Sequence, residues 1–534
     1  MLLTAFTILS YSLLFILSVA FLFLLHRYVV YRKHCKMVSH IPGHCQFVPP
    51  PLVKFIPQFL RDENWITDMG DVFSLDTLLN SQKKFKTDHY KMVFGFLNAP
   101  MIIIDNPKMG KEIATKKKFK KPNMLKSAQV ELFSGTNIFV EDEYHTWLHQ
   151  RQLMDPSFTP ESLRMVAHVT SETVRNDMIP FIESNRNGND IMGDFAKLTM
   201  NVIGIAGFGY NFDTFNNKDE NSLEKKSALY INSINTYRTC PKVIRNHINI
   251  GLFGKVRDAA TCFKQAIGKI IQKREIHEEN ESTSDDQKSD VLSILLRERK
   301  TKQKDENGSL TNDELISNSF VLLVAGHETT ARTLGFATFV LATNETVQQQ
   351  VHEFIDGFVK QNNGREHFDY DDFASGKLDY LRALFRETLR LYPVALGVPR
   401  ELTSNSSEFN NVLLPKGSLV LYSWANTLRN EEYWKDAETF NPLRFLKDED
   451  ERRMGVFGAL HNPQTNPFVY SVFGIGGRVC IGRYFSEVES VIALAYLTRK
   501  YSFKLSDPNY KLVLKTRVTL SPQDTILIDY VPRN

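Results

Sequence analysis

The chain has 534 residues, 42% hydrophobic and 24% charged, with 27 Gly and 21 Pro. This excludes collagen-like, disordered and disulfide-scaffold classes and leaves ample length for a large core. Its 65 basic and 61 acidic residues nearly cancel, so charge gives no reason to expect nucleic acid as a partner.

Residues 1–25 contain no charged side chain and are dominated by Leu, Ile, Phe, Val and Ala. About 20 helical residues cross a bilayer, so this run is long enough to span one. It is longer than the apolar core of a cleaved signal and has no basic start. Arg27, Arg32, Lys33 and Lys36 follow at once, which places that flank in the cytosol. The expected organisation is a transmembrane signal anchor over 1–26, a basic and proline-rich linker over 27–52 that includes Pro49-Pro50-Pro51, and one globular domain over 53–534.

Short strand-like pieces occur early, at 92–96 and 101–104, and helical patterns dominate afterwards. The densest charge cluster, Lys116-Lys117-Lys118-Phe119-Lys120-Lys121, reads first as a solvated face; docking to an acidic electron donor or to anionic lipid is the functional reading. Residues 277–289 and 300–312 are polar and read as loops. A long helix is predicted from about Asn312 to Ala342. Its apolar run is interrupted by Gly326-His327-Glu328-Thr329-Thr330. A mid-helix Gly costs about 1 kcal/mol, and a Glu among core residues needs a partner or water. Breaks of this kind are expected at functional sites, and a helix with an exposed polar stripe is the other reading.

The five cysteines are Cys35, Cys45, Cys240, Cys262 and Cys480, without zinc spacing. Four glycines surround Cys480 in Phe473-Gly474-Ile475-Gly476-Gly477-Arg478-Val479-Cys480-Ile481-Gly482, and a helical pattern starts just after. Such a loop holds a thiolate near a helix N-terminus, where the dipole stabilises it. Nucleophile and metal ligand are both open on these residues alone.

The loop resembles the haem-thiolate loop of the cytochrome P-450 family. Ala325-Gly326-His327-Glu328-Thr329-Thr330 resembles the family's oxygen-activation segment. Glu387-Thr388-Leu389-Arg390 resembles its E-x-x-R helix, and Asn441-Pro442-Leu443-Arg444-Phe445 the segment that completes the triad. Trp147-Leu148-His149-Gln150-Arg151 resembles its W-x-x-x-R helix. The resemblance implies a mainly α fold with small β-sheets (α+β), built on a long central oxygen-activation helix. It implies haem b as cofactor, with Cys480 as axial iron ligand and Phe473 shielding the sulfur. Arg478, Trp147, Arg151 and Arg400 would hold the propionates. Gly482 and Gly326 would allow close approach to the haem and to the oxygen site. Glu328 and Thr329 would deliver protons. Glu387, Arg390 and Arg444 would form a structural triad. Two positions depart from the pattern: Leu443, where the family usually has a polar residue, and Leu428, where a His is common.

The resemblance further implies a single-pass protein of the endoplasmic reticulum membrane with a cytosolic catalytic domain. It would be a monooxygenase taking electrons from a separate NADPH-dependent flavoprotein reductase, with cytochrome b5 a further donor. The substrate would be an apolar or amphipathic small molecule, bounded by residues 320–325, 394–398, a loop near 123–139 and a hairpin near 516–519, with Arg517 at its tip. The alternative is a dehydratase, isomerase or haem sensor on the same scaffold; the intact Glu328-Thr329 pair favours the monooxygenase.

Overall fold

The computed structural model describes residues 2–48, 53, 56, 74–95, 97, 99–116, 119–216, 222–239, 245, 251–280, 290–302, 310–404, 407–409, 412–446, 468–516 and 518–533. Pro49-Pro50-Pro51, Lys117, Lys118, Cys240 and Arg517 lie outside them. The chain forms two compact units: 1–120 with 399–423, and 121–398 with 424–534.

The first unit opens with α1 (Leu2–Met37). Of its apolar run, Leu14, Phe15, Leu17, Val19 and Phe21 to Leu25 are exposed. Among the described residues no helix is long and apolar enough to cross a membrane; the side chains of residues 2–10, 12, 13 and 16 are not among those described. The stretch 27–52, expected as a linker, carries the last turns of α1 and strand β1 (Gly43–Gln46). Arg27 explains why the helix stays on the sheet: its guanidinium donates to the carbonyls of Gly95 (3.0 and 2.6 Å) and Leu97 (2.7 Å). β1 pairs in parallel with β2 (His89–Phe94), which pairs antiparallel with β3 (Met101–Ile104). β4 (Phe119–Lys120), β5 (Gly397–Leu402, its residues from Pro399 belonging to this unit) and β6 (Leu419–Ser423) complete a six-stranded sheet in the order β1-β2-β3-β6-β5-β4.

The second unit is helical. The segment near 123–139, expected as a loop, is helix Asn123–Phe133 followed by turns. Residues 277–280 are likewise the last turn of helix Gly251–Asn280, because Glu-rich sequence propagates a helix already nucleated by its apolar face. Four further helices position the site: α2 (Tyr144–Met154), α3 (Ile191–Val202), α4 (Asn312–Thr343) and α5 (Asp379–Leu391). α6 (Arg483–Lys500) follows the cysteine loop. α4 is about 48 Å long at 1.5 Å per residue. It starts at a capping box, in which Thr311 Oγ1 accepts from Glu314 N (3.2 Å) and the Glu314 carboxylate accepts from Thr311 N (3.0 Å). α5 is buried from Tyr380 through Leu391, and α6 from Glu487 through Thr498. Strands Tyr501–Leu505, Leu527–Pro532 and Asn189–Asp190 form a small sheet, and Leu514–Thr516 pairs with Leu520–Pro522 as a hairpin.

Candidate active site

The cysteine loop folds because its glycines reach backbone angles that are strained for most other residues: Gly474 and Gly476 have φ of 75° and 72°. Cys480 N donates to Phe473 O at 2.8 Å, Gly474 N to Ser471 O at 2.7 Å and Val479 N to Gly476 O at 3.1 Å. These bonds involve only backbone, so the loop's shape does not depend on the cysteine side chain. The Phe473 ring lies stacked 6.4 Å from Phe385 and packs on the cluster of Phe385, Leu389 and Val394.

The Cys480 thiol remains reachable from solvent although protein surrounds it. Burial pushes its pKa up, opposed by the Gly482 N–H and by Arg151 and Arg483. A bound metal cation reverses that balance and holds the sulfur as thiolate. At Gly482, chain neighbours aside, no atom of the described residues lies within 4 Å of the position a Cβ would take, so the backbone is bare beside the thiol. One soft ligand next to bare backbone, with cationic side chains around it, fits a flat, anionic, iron-centred group.

The cations come from α2 and from the loop itself. On α2, Trp147 and Arg151 stand four residues apart and share a face. Arg151 Nη1 donates to Val479 O at 2.8 Å, and its Nε bonds Asp155 at 2.6 Å. The Arg478 guanidinium stacks 4.4 Å over the Trp147 ring and donates to Glu141 O at 2.8 Å. Burial lowers its pKa to about 10, against the pull of Glu141 and Asp142. Trp147, Arg151, Arg478 and Cys480 are thus brought together. Arg400, expected beside them, belongs to the first unit, where it is buried and donates to Pro399 O at 3.0 Å.

Glu328 and Thr329 stand on α4, which packs on α3, α5 and α6. Thr329 Oγ1 donates to Ala325 O at 2.7 Å, the back-bonding expected of Thr inside a helix. Ala325 is exposed in the middle of this otherwise buried helix, and Thr329 follows it one turn on, only partly covered. Glu328 is buried and ion-paired with Arg332 at 3.0 Å, an i,i+4 partner the sequence reading missed. His327 is buried with Nδ1 3.2 Å from Leu323 O; burial lowers its pKa. A Cβ on Gly326 would stand 3.3 Å from Ile203 Cδ1, in the π-helical turn after α3. Phe320 is stacked on Phe133 at 4.0 Å, with Tyr230 and Phe263 edge-on at 5.0 and 5.1 Å.

Glu387, Arg390 and Arg444 meet. Arg390 holds Glu387 through two bonds of 2.7 and 2.8 Å, both side chains fully buried, and Arg444 Nε lies 3.4 Å from Glu387. Arg390 also donates to the carbonyls of Leu428, Ala437 and Thr439. This accounts for one departure from the family pattern: position 428 contributes its backbone, so its side chain can be Leu. Leu443 is exposed and takes no part.

A second buried network escaped the sequence reading. Glu487 on α6 accepts from Arg382 (3.0 and 3.2 Å) and Arg386 (2.8 Å) on α5. Burial works against its charge, yet the two arginines hold its pKa down at about 2. Glu489, two residues further along, is fully buried with no hydrogen-bond partner on either oxygen among the described residues, and burial raises its pKa well above the usual range. Both read as ordinary helix glutamates in sequence, since their partners are about 100 positions away or absent. A cavity of 740 Å³ opens elsewhere, beside Arg175, Glu366, His367 and Arg499, and contains none of the residues named above as site candidates.

The helical architecture and the glycine-clasped cysteine fit a haem-thiolate protein. The comparisons agree. The Cytochrome P450 family model matches residues 64–528, so the chain belongs to the cytochrome P450 family and is a haem-dependent monooxygenase. It is 26% identical to cytochrome P450 3A9 of Rattus norvegicus over 451 residues, covering 82% of this chain and 83% of that one. It is 27% identical to cytochrome P450 3A5 of Homo sapiens over 468 residues, covering 83% and 86%. Among solved structures, the cytochrome P450DA heme domain matches with a TM-score of 0.71 at 18% identity, covering 86% of this chain and 93% of that one. A cytochrome P450 (CYP102L1) matches at 0.68 and 24%, covering 86% and 95%. These two likenesses establish the fold.

Proposed function

We propose that the protein is a membrane-anchored monooxygenase that inserts one oxygen atom of dioxygen into an apolar or amphipathic substrate, with electrons from an NADPH-dependent flavoprotein reductase. The observation that carries this is the bare, glycine-built loop around Cys480, clasped by Trp147, Arg151 and Arg478. Bound haem supplies the oxygen chemistry, with the Cys480 sulfur pushing electron density towards O–O cleavage. Arg151 and Arg478 neutralise the propionates, and Phe473 covers the sulfur. Glu387, Arg390 and Arg444 keep the segment 436–444 against α5. Thr329 Oγ1 donates to Ala325 O and so leaves its lone pairs to accept from water, which would relay protons. Glu328 exchanges them through Oε2, the oxygen that Arg332 does not hold.

Thr329→Ala tests the proton path. Haem content and substrate binding stay at wild-type levels, because the iron ligand is untouched. Product per NADPH consumed falls several-fold, and peroxide release rises to match. Fully coupled turnover in the variant would sink the assignment.

The anchor is the second part of the proposal. The uncharged run 1–25, the exposed apolar side chains of α1 and the basic residues after them support one span with a cytosolic domain. Four sequons then stay out of reach of the lumenal transferase: Asn280, Asn307, Asn344 and Asn405. Asn307 and Asn405 lie outside the described residues; Asn344 caps helix Glu345–Gln361, accepting from Val347 N at 3.1 Å. Protease added to sealed microsomes is expected to digest the domain, with no endoglycosidase shift before digestion. Protection from the protease would reverse the orientation and remove the proposed donor.

A further inference from the structure

Two cysteines with no part in the site stand together in the first unit. Cys35 lies in the last turn of α1 and Cys45 on β1. Tyr31, one turn before Cys35, meets the ring of Phe47, two residues after Cys45, at 5.5 Å, so the two cysteines stand on facing sides of α1 and β1, and both are half-buried. The chain between them reverses in a tight turn: Val38 N bonds His34 O at 3.3 Å, and Ile41 N bonds Val38 O at 3.1 Å. Strand pairing fixes the far side, with Cys45 opposite Val93 on β2. A cation is pinned beside the turn, since Lys91 Nζ donates to Val38 O at 3.0 Å.

We propose that Cys35 and Cys45 are a redox modification site: hydrogen peroxide converts them to a reversible disulfide that staples the end of α1 to the sheet. A disulfide needs the two sulfurs at about 2.05 Å on side chains that already face each other. Side chains on facing sides of α1 and β1 reach this by rotation about their own bonds, with both elements staying in place. Sequence alone could not pair them, because Cys35 and Cys45 match no redox or zinc spacing.

The chemistry balances. The Cys35 thiolate attacks one peroxide oxygen, the O–O bond breaks, and Cys35 becomes a sulfenic acid as hydroxide leaves. Hydroxide takes the Cys45 proton and becomes water. The Cys45 thiolate then attacks the Cys35 sulfur, the S–O bond breaks, and the departing hydroxide, protonated by solvent, is the second water. The first step used a thiolate whose proton had gone to solvent, so two thiols and one peroxide give one disulfide and two waters. Two electrons pass from sulfur to oxygen. A cellular dithiol reverses the reaction. The surroundings favour Cys35 as the attacking sulfur. The hydrogen bond from Cys45, then Tyr31, Lys91 and Arg32, outweigh burial and bring its pKa down to about 6, while Cys45 is pushed up. Disulfides of this kind in a reducing compartment are transient and redox-sensing.

The test uses the full-length protein, reduced and then treated with equimolar hydrogen peroxide, without substrate or reductase. It is therefore independent of the monooxygenase reading. Remaining thiols are alkylated and the protein is digested without reductant. A linked peptide pair carrying Cys35 and Cys45, lighter by two hydrogens and separated by dithiothreitol, is expected. Cys262 is expected to remain alkylated. In Cys45→Ser, dimedone is expected to trap a sulfenic acid at Cys35; in Cys35→Ser, trapping at Cys45 is expected to be at least ten-fold slower. Full alkylation of both cysteines in the peroxide-treated wild type would overturn the proposal. So would links scattered over several cysteine pairs. The wild-type link is read without any variant, so a variant that fails to fold does not blunt the test.

Discussion

Cys480→His is expected to abolish the red-shifted carbonyl band of the reduced protein, while Cys480→Ala loses haem or holds it without that band. The loop survives both changes, because Cys480 N to Phe473 O and Val479 N to Gly476 O are backbone bonds. The Phe473 ring also keeps its seat on Phe385, Leu389 and Val394. What disappears is the sulfur, the only soft ligand the loop presents. Imidazole is a weaker electron donor than thiolate, so any carbonyl complex shifts to the position of histidine-ligated haem proteins. Cys35, Cys45, Cys240 and Cys262 changed to Ser should leave the band in place. The measurement is a carbon monoxide difference spectrum beside a circular dichroism control. A thiolate-type band in folded Cys480→His would show that another group holds the iron.

Glu387→Ala is expected to cost about 3–5 kcal/mol of stability, the range for breaking a buried pair and leaving one charge alone. Arg390 would keep its bonds to three carbonyls but lose both bonds to carboxylate, with no water able to replace them at full burial. Asn441 N would lose its acceptor, now 2.8 Å away on Glu387, and Arg444 its ion-pair partner. The segment that includes Ala437, Thr439 and Asn441 would then loosen, and haem retention with it. The pair Arg429–Glu438, whose carboxylate is exposed, is the control: Glu438→Ala should change stability by less than about 1 kcal/mol. Denaturant midpoints of the two variants decide the matter. Equal, small shifts would mean that the buried triad contributes no more than a surface pair.

The two glutamates on α6 illustrate what folding adds to a readable sequence. Glu487 becomes charged and doubly held because α5 presents Arg382 and Arg386, one turn apart, to the same face of α6. Glu489 faces no donor, and its carboxyl is driven towards the neutral form. Sequence places both in the same polar pattern two residues apart. Their opposite states follow from helix packing, which nothing local encodes.

Local chemistry was legible from residues alone wherever a motif's meaning is carried by near neighbours. The glycines around Cys480 announce a turn that exposes a thiol beside a helix start. Trp147 with Arg151, and Glu387 with Arg390, were singled out by the resemblance to a known family and not by their residues alone. The interruption at Gly326 to Thr330 announces a helix that is broken for a purpose. Tertiary structure decided what depends on separations of tens to hundreds of residues. It set Arg478 on Trp147, Arg151 on the Val479 carbonyl, Glu487 between two arginines, and the Cys45 thiol against Cys35. It also formed the end of a helix and a strand within residues 27–46, part of the stretch 27–52 read as a basic and proline-rich linker. Spacing in sequence specifies geometry only within a turn or a strand pair. Beyond that, partners are selected by which buried faces pack, and only the folded chain supplies that selection.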